Sequence, residues 1–280
     1  MIDIEQLSRR VEQIILQHGR RGMDKVYEAM RPGYCGRAAR MILDNIGVML
    51  IGTGFPVGCG YESDGPIGAL AIYKVLEVLG GRPIIVCAPP LSSILSPSFA
   101  VREMQVSELE KSGKFAKEAM TSLSPDLILS IEMPGIASDG RYYNMNKEDI
   151  SHQTPKFDYF VTQAGCPTIC FGDGGNEVGM GNVKEALANI DIIPSITGCD
   201  ELVIATVSNW GVYGVVAMLC VLTGEDLFSL IDPTSTAEFL VANGCVDGIT
   251  VRPDVSEDGF PIHVGVSIIA QLRLLVREAS

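Results

Sequence analysis

A chain of 280 residues, 47% hydrophobic and only 20% charged, is far from the composition of a disordered protein and long enough to bury a large core without disulfide staples. Its 34 acidic and 21 basic residues give a net charge of −13, which argues against nucleic acid or an anionic membrane surface as a partner, because both demand clustered Lys and Arg. The same balance suits a cation site or plain cytosolic solubility.

In chain order, Ile4, Leu7, Val11, Ile14 and Ile15 recur at helical spacing within residues 1–30, and Pro32-Gly33 breaks the pattern. Val48–Gly52 is a predicted strand running into glycines. Asp64–Leu79 reads as a helix ended by Gly80-Gly81. Pro83–Cys87 is a second strand, all apolar, as a strand covered on both faces should be. Met104–Leu109 reads as a short third strand and Lys111–Leu123 as a helix. Asp126–Glu132 and Pro167–Phe171 are further strands, the second entering a glycine-rich stretch that opens a helix over Asn176–Asn189. Leu202–Val207 is a strand and Trp210–Leu222 a helix. Helices over Thr234–Ala242 and Val264–Arg277 flank a loop rich in Asp and Gly.

Strands alternating with helices predict an α/β fold of three layers, with a mainly parallel central sheet and a helical N-terminal extension. No composition shift, linker or internal repeat divides the chain. Residues 1–280 are therefore expected to form a single domain, with 1–33 as the extension. The eight cysteines, at 35, 59, 87, 166, 170, 199, 220 and 245, are scattered, and no CxxC occurs. They are expected to be free thiols in a reducing compartment. The N-terminus lacks an apolar signal region and carries Asp3, Glu5 and Glu12, and the longest apolar run, 211–222, is too short to span a bilayer. A cytoplasmic protein is expected.

In such folds ligands bind at the carboxyl ends of the strands, so the stretches leaving each strand carry the chemical information. The first is Gly52-Thr53-Gly54-Phe55-Pro56 with Glu62-Ser63-Asp64-Gly65-Pro66, where Asp64 is either functional or the cap of the next helix. It matches neither GxGxxG nor a P-loop. The second holds Glu132 at the end of an apolar strand, followed by a turn-rich loop with Arg141, Tyr143 and Asn144. The third, Gly172-Asp173-Gly174-Gly175-Asn176-Glu177-Val178-Gly179-Met180-Gly181, is the strongest. Five glycines in ten residues have a real conformational cost, and Asp173, Asn176 and Glu177 add oxygens suited to a hard divalent cation or to proton transfer. The fourth is Ser208-Asn209-Trp210-Gly211, where Asn209 reads equally as a helix cap and Trp210, the single Trp, as a core anchor. Of the three histidines, His263, after Asp258-Gly259-Phe260-Pro261, is the best site candidate, and His18 and His152 read as surface residues.

Taken in order, Gly54-Phe55-Pro56, Glu62…Asp64-Gly65-Pro66, Glu132…Gly135, Asp139-Gly140…Tyr142-Tyr143-Asn144, the decade at 172–181, Ser208-Asn209-Trp210-Gly211 and 246–263 resemble the D-glutamate cyclase family, from about residue 45 to the C-terminus. One departure is visible: the family often has Arg after the strand-end Glu, and here the residue is Met133. The resemblance implies reversible dehydration of D-glutamate to 5-oxo-D-proline. Within it, Asp173, Glu177 and Glu132 are the residues suited to acid–base work, and Asp173 with Glu177 to a metal ion such as Mg²⁺ or Mn²⁺. Gly54, Glu62, Asp64, Arg141, Tyr143, Asn144, Gly174, Gly175, Asn176, Asn209, Trp210 and His263 are the candidates for holding a small anionic substrate. Two other readings suit the same residues: a metal-dependent hydrolase of a small phosphorylated or carboxylated metabolite, and a non-catalytic metabolite-binding relative. A homo-oligomer stays open. The four strand-end stretches are expected to converge on one pocket.

Overall fold

Apolar strands with no polar face need helices on both sides, and the chain supplies them. The computed structural model describes residues 3–58 and 60–279. Three helices come first: α1 (Ile4–Ile15), α2 (Met23–Ala29) and α3 (Tyr34–Asp44). Strand β1 (Val48–Thr53) follows, then a two-residue ribbon of β2 (Pro56–Val57) and β3 (Gly60–Tyr61), and α4 (Pro66–Val78). Next are β4 (Arg82–Cys87), α5 (Leu91–Leu95), β5 (Val101–Glu103), α6 (Leu109–Leu123) and β6 (Leu127–Ile131). The chain continues through α7 (Asp158–Thr162), β7 (Thr168–Gly172), a 3-10 turn at Met180–Val183, α8 (Lys184–Leu187) and β8 (Glu201–Ile204). It ends with α9 (Ser208–Thr223), a 3-10 turn at Leu227–Leu230, α10 (Pro233–Ala242), a second ribbon of β9 (Ser256–Glu257) and β10 (Phe260–Pro261), and α11 (Ile262–Ala279).

Six strands form one parallel sheet in the order β5-β4-β1-β6-β7-β8. Numbered within that sheet alone, the order is 3-2-1-4-5-6, the doubly wound arrangement, and its direction of winding reverses between β1 and β6. Register runs through the middle of β1, where Ile51 faces both Ile85 and Leu129. Crossovers are right-handed, so helices that advance the chain in opposite directions from β1 lie on opposite faces. Helix α4 belongs to one face and α6 to the other. Helix α9 returns to the face of α4 and packs on it.

Helix α9 is apolar all round and buried from Ser208 to Cys220, which requires cover on every side. The N-terminal helices provide part of it. Helix α1 turns Leu7, Val11 and Ile15 inward, and α1, α3 and α11 all pack on α9. The predicted extension is thus a cover for the most buried helix. One apolar core runs from Leu7 to Leu275.

Two expectations shift. The third strand is Val101–Glu103 rather than 104–109, because its ladder to β4 runs only from Ile85↔Val101 to Cys87↔Glu103. The helix expected over 176–189 shrinks to the 3-10 turn and α8. Gly175 and Gly179 take positive φ, and the N–H groups of Val178 and Gly179 bond Met133 and Thr197 carbonyls instead of a preceding turn. Helices α3, α5 and α7 carry no sequence signal used above. The seven described cysteines are free, and Cys59 lies outside the described residues. Among the described residues no helix is long and apolar enough to cross a membrane.

Gly52 shows how closely the sheet is covered where the site begins. A Cβ there would lie 2.4 Å from the ring of Phe157, itself buried and stacked on Phe160 at 5.0 Å. Neither ring has room to retreat. Gly52→Ala is expected to cost about 1–3 kcal/mol, the usual scale of overpacking, read as a lower urea midpoint at unchanged slope. An unchanged midpoint contradicts this packing.

Candidate active site

The winding reversal between β1 and β6 leaves a crevice at the carboxyl edge of the sheet, and two helix N-termini open beside it. Each is capped by the other's leading residue. Asp64, just before α4, accepts the N–H groups of Ser208 (3.0 Å) and Asn209 (2.9 Å) at the start of α9. Asn209 returns the bond: its Oδ1 accepts from Gly65 (3.0 Å) and Gly68 (2.7 Å) at the start of α4. Asp64 therefore caps α9 while also accepting the N–H of Gly65 (2.8 Å) at its own helix, and Asn209 caps α4 rather than its own. Such caps contribute about 1 kcal/mol each. Gly65 is obligatory here, with φ at 87° and a would-be Cβ 2.8 Å from Cβ of Glu132.

Three carboxylates meet in the crevice. Glu132 and Asp173 directly follow β6 and β7, Asp64 comes from the turn between β3 and α4, all three are buried, and one oxygen of each lies within 4.8 Å of the others. Ser208 Oγ donates to Glu132 Oε2 at 2.5 Å. Across them lies Arg21, from the turn between α1 and α2. Its Nη1 binds Asp173 Oδ1 at 2.5 Å and its Nη2 binds Asp258 Oδ1. The second oxygens, Oδ2 of Asp173 and Oδ2 of Asp258, are buried without a hydrogen-bond partner. Arg21, Glu132 and Asp258 all take left-handed φ, at 53°, 48° and 51°. Left-handed non-glycine residues are held there only when the surroundings over-determine them, and they gather at functional sites.

Charge is crowded to match. Burial, then repulsion from Asp258, pushes the Asp64 carboxyl up to about 7 despite its backbone donors. Burial pushes up Glu62, Glu132 and Asp173 as well, with neighbouring carboxylates adding and Arg21 opposing at Glu62 and Asp173. Glu257, beneath the site, is pushed up to about 8 by burial although Trp210 Nε1 and Asn209 Nδ2 both donate to it. Asp247 goes the other way: four donors, from Thr250, Ser256, Gly259 and Ile249, outweigh its burial and hold it low.

A cleft of about 360 Å³ opens over these groups, lined among others by Arg21, Glu62, Glu132, Asn144, Asn176 and Asp258. Three of the stretches, 52–66, 130–145 and 172–181, contribute to its lining, and the fourth, 208–211, lies beneath it, bonded to Asp64 and Glu132. Glu177 is buried and folds back to accept the N–H of Gly175 at 2.7 Å, leaving its Oε1 bare. It ties down its own loop and fills the anion cradle expected of Gly174 and Gly175. Gly54, at φ 112°, turns the chain out of β1. Asn209 and Trp210 lie under the site as cap and anchor.

Three candidates lie elsewhere. His263 is exposed in the first turn of α11, because that helix begins at Ile262 and carries it to the surface. Arg141 is 61% exposed near Asp139 and Asp149, and Tyr143 donates its hydroxyl to Asp139 at 2.6 Å, because this loop closes on itself. Arg141 lines a neighbouring cavity with His152 and Lys156.

A sequence model of the family described as D-glutamate cyclase-like, C-terminal, matches residues 11–273. The chain belongs to the D-glutamate cyclase-like family. The human protein named D-glutamate cyclase, mitochondrial, is 32% identical over 211 residues, covering 66% of this chain and 34% of the human one. This family member therefore spans about a third of that relative's length. Among solved structures, an exopolyphosphatase-related protein from Bacteroides fragilis aligns over 88% of this chain and 59% of its own, with 11% identity and a TM-score of 0.42, too low to bear on function.

The family match begins at residue 11 and so includes Arg21, which the motif reading passed over along with Asp258. Arg21 sits in an ordinary Arg20-Arg21-Gly22 turn with no chemical pattern around it. Asp258 had a signal, since it opens the very Asp-Gly-Phe-Pro stretch from which His263 was chosen. Met133, where the family often has Arg, is buried in the core with its carbonyl bonded to Val178.

The raised carboxyls fix a pH signature. Between about pH 4 and pH 8 the folded protein holds protons on Asp64 and Glu257 that the unfolded chain has released, so stability falls as pH rises through that window. In chelator, the urea midpoint is expected to drop between pH 5 and pH 8. A midpoint that climbs over the same range contradicts the crowding.

Proposed function

We propose that this family member is a hydro-lyase interconverting D-glutamate with 5-oxo-D-proline and water. The observation that carries the reading is the meeting of Asp64, Glu132 and Asp173 at the carboxyl edge of the sheet, in a chain of this family. In the forward direction the α-nitrogen forms a bond to the γ-carboxyl carbon and one C–O bond breaks. Two protons of the ammonium group leave with that oxygen as water. The barrier is electrostatic: an ammonium is no nucleophile and a carboxylate is a poor electrophile.

The residues suit a divalent cation of the Mg²⁺ or Mn²⁺ kind. Carboxylate oxygens are the donors such hard ions take, and the buried, unpartnered Oδ2 of Asp173 is a ligand without a partner. Asp64, Glu132 and Asp173 would hold the ion, and its charge offsets their repulsion. When bound, it supplies Lewis-acid polarisation of a carboxyl group. Everything else falls to the chain. Ser208 fixes Glu132 from one side, and Arg21 fixes Asp173 from the other. Glu62 lines the cleft with a carboxyl raised by burial, suited to take a proton from the ammonium and return it to the leaving oxygen.

Turnover of D-glutamate and 5-oxo-D-proline, with and without Mn²⁺, is the test. Turnover of p-nitrophenyl phosphate instead favours the hydrolase reading. Asp173→Asn keeps size and an acceptor for Arg21 but removes a charge from the acidic cluster. It is expected to melt at or above the wild type in chelator, to lose about 10²-fold or more in rate, the scale of a positioned acid–base or metal-binding group, and to lose the stabilisation that Mn²⁺ gives. Near-normal turnover in this variant removes Asp173 from the chemistry.

A further inference from the structure

We propose that Arg21 is the carboxylate anchor of the cleft, holding the α-carboxylate of the substrate; this rests on the cyclase reading above. The cleft is lined by many acids, and among the described residues Arg21 is the only Lys or Arg that lines it. Arg141 is outside the cleft, and position 133 carries a buried Met. Arg21 retains 18% side-chain exposure. A guanidinium has more N–H donors than its bonds to Asp173 and Asp258 consume, and its planar fork matches a carboxylate.

The side chain is also pre-set. Its backbone is held at φ 53°. Arg20 beside it donates to the carbonyl of Asp258 at 3.0 Å and lies 3.8 Å over the ring of Phe260. Gly174 leaves the space the guanidinium uses, since a Cβ there would come within 3.2 Å of Nη1. A rigid cation between two carboxylates, with N–H groups to spare toward an open cleft, is arranged to bind an anion without moving.

The experiment compares ligands that differ only at that carboxylate: 5-oxo-D-proline against its primary amide, titrated calorimetrically with Mn²⁺ present, beside turnover of each. Wild type is expected to favour the acid by about 10- to 100-fold, the scale of a charge-assisted hydrogen bond. In Arg21→Met the ratio is expected to fall to within about threefold, through loss of the acid. Arg21→Lys keeps the charge between Asp173 and Asp258 and so the fold, but it loses the fork; its ratio is expected to fall about tenfold. A purely structural Arg21 lowers both ligands equally, and a preserved ratio in either variant overturns the anchor. A wild type that binds acid and amide alike also overturns it. A wild type that prefers the acid, loses that preference in the variants, yet turns neither ligand over keeps the anchor and refutes the lyase.

Discussion

Mutual repulsion among buried carboxylates is the constraint the rest of this molecule answers. Asp64, Glu132 and Asp173 stand within reach of one another, with Glu62, Glu177, Glu257 and Asp258 around them, all of them buried. Left alone, such a cluster would swell or take up protons. The fold opposes it with directed dipoles and one fixed cation. Two helix N-termini bring their positive ends to Asp64, Ser208 pins Glu132, and Arg21 bridges Asp173 to Asp258. These supports are positioned by the covered helix α9 and by the doubly wound sheet, so packing far from the cleft sets its geometry.

The mutual capping of α4 and α9 ties the two halves of the sheet together. Helix α4 follows β1 and α9 follows β8, at the far edge. Asp64 and Asn209 lock their starts against each other across 144 and 141 residues of chain. A change to Asp64 leaves donors bare at α9 and a change to Asn209 leaves one bare at α4, so each helix start depends on a side chain from the other. The sharing extends to Glu257, which accepts from Asn209 and Trp210 and carries the C-terminal ribbon into the same network.

Much of this was legible along the chain because strands announce where they stop. Glu132 and Asp173 each directly follow an apolar run, a parallel sheet sends all such ends to one edge, and Asp64 stands in the loop that leaves β1 toward α4. The glycines of 172–181 were legible through their conformational cost, although the helix expected after them was not there. Partners brought from far away were not legible. Arg21 reaches Asp173 across 152 residues from a turn of ordinary composition. Short-range chemistry also misled. Arg141 and Tyr143 form a self-satisfied loop with Asp139, and the histidine after Asp-Gly-Phe-Pro drew attention from the aspartate that opens it. Periodicity locates elements, but it carries no information on which distant side chain will fill a gap.

The bridge from Arg21 to Asp258 spans 237 residues, nearly the full chain. Its consequence lies in the order of assembly. Contacts of such separation carry a large loop-closure cost. During synthesis, α1 and the first strands leave the ribosome long before Asp258 exists, so Arg21 is made without one of its two carboxylate partners. The buried acidic cluster is therefore completed only when the second ribbon docks.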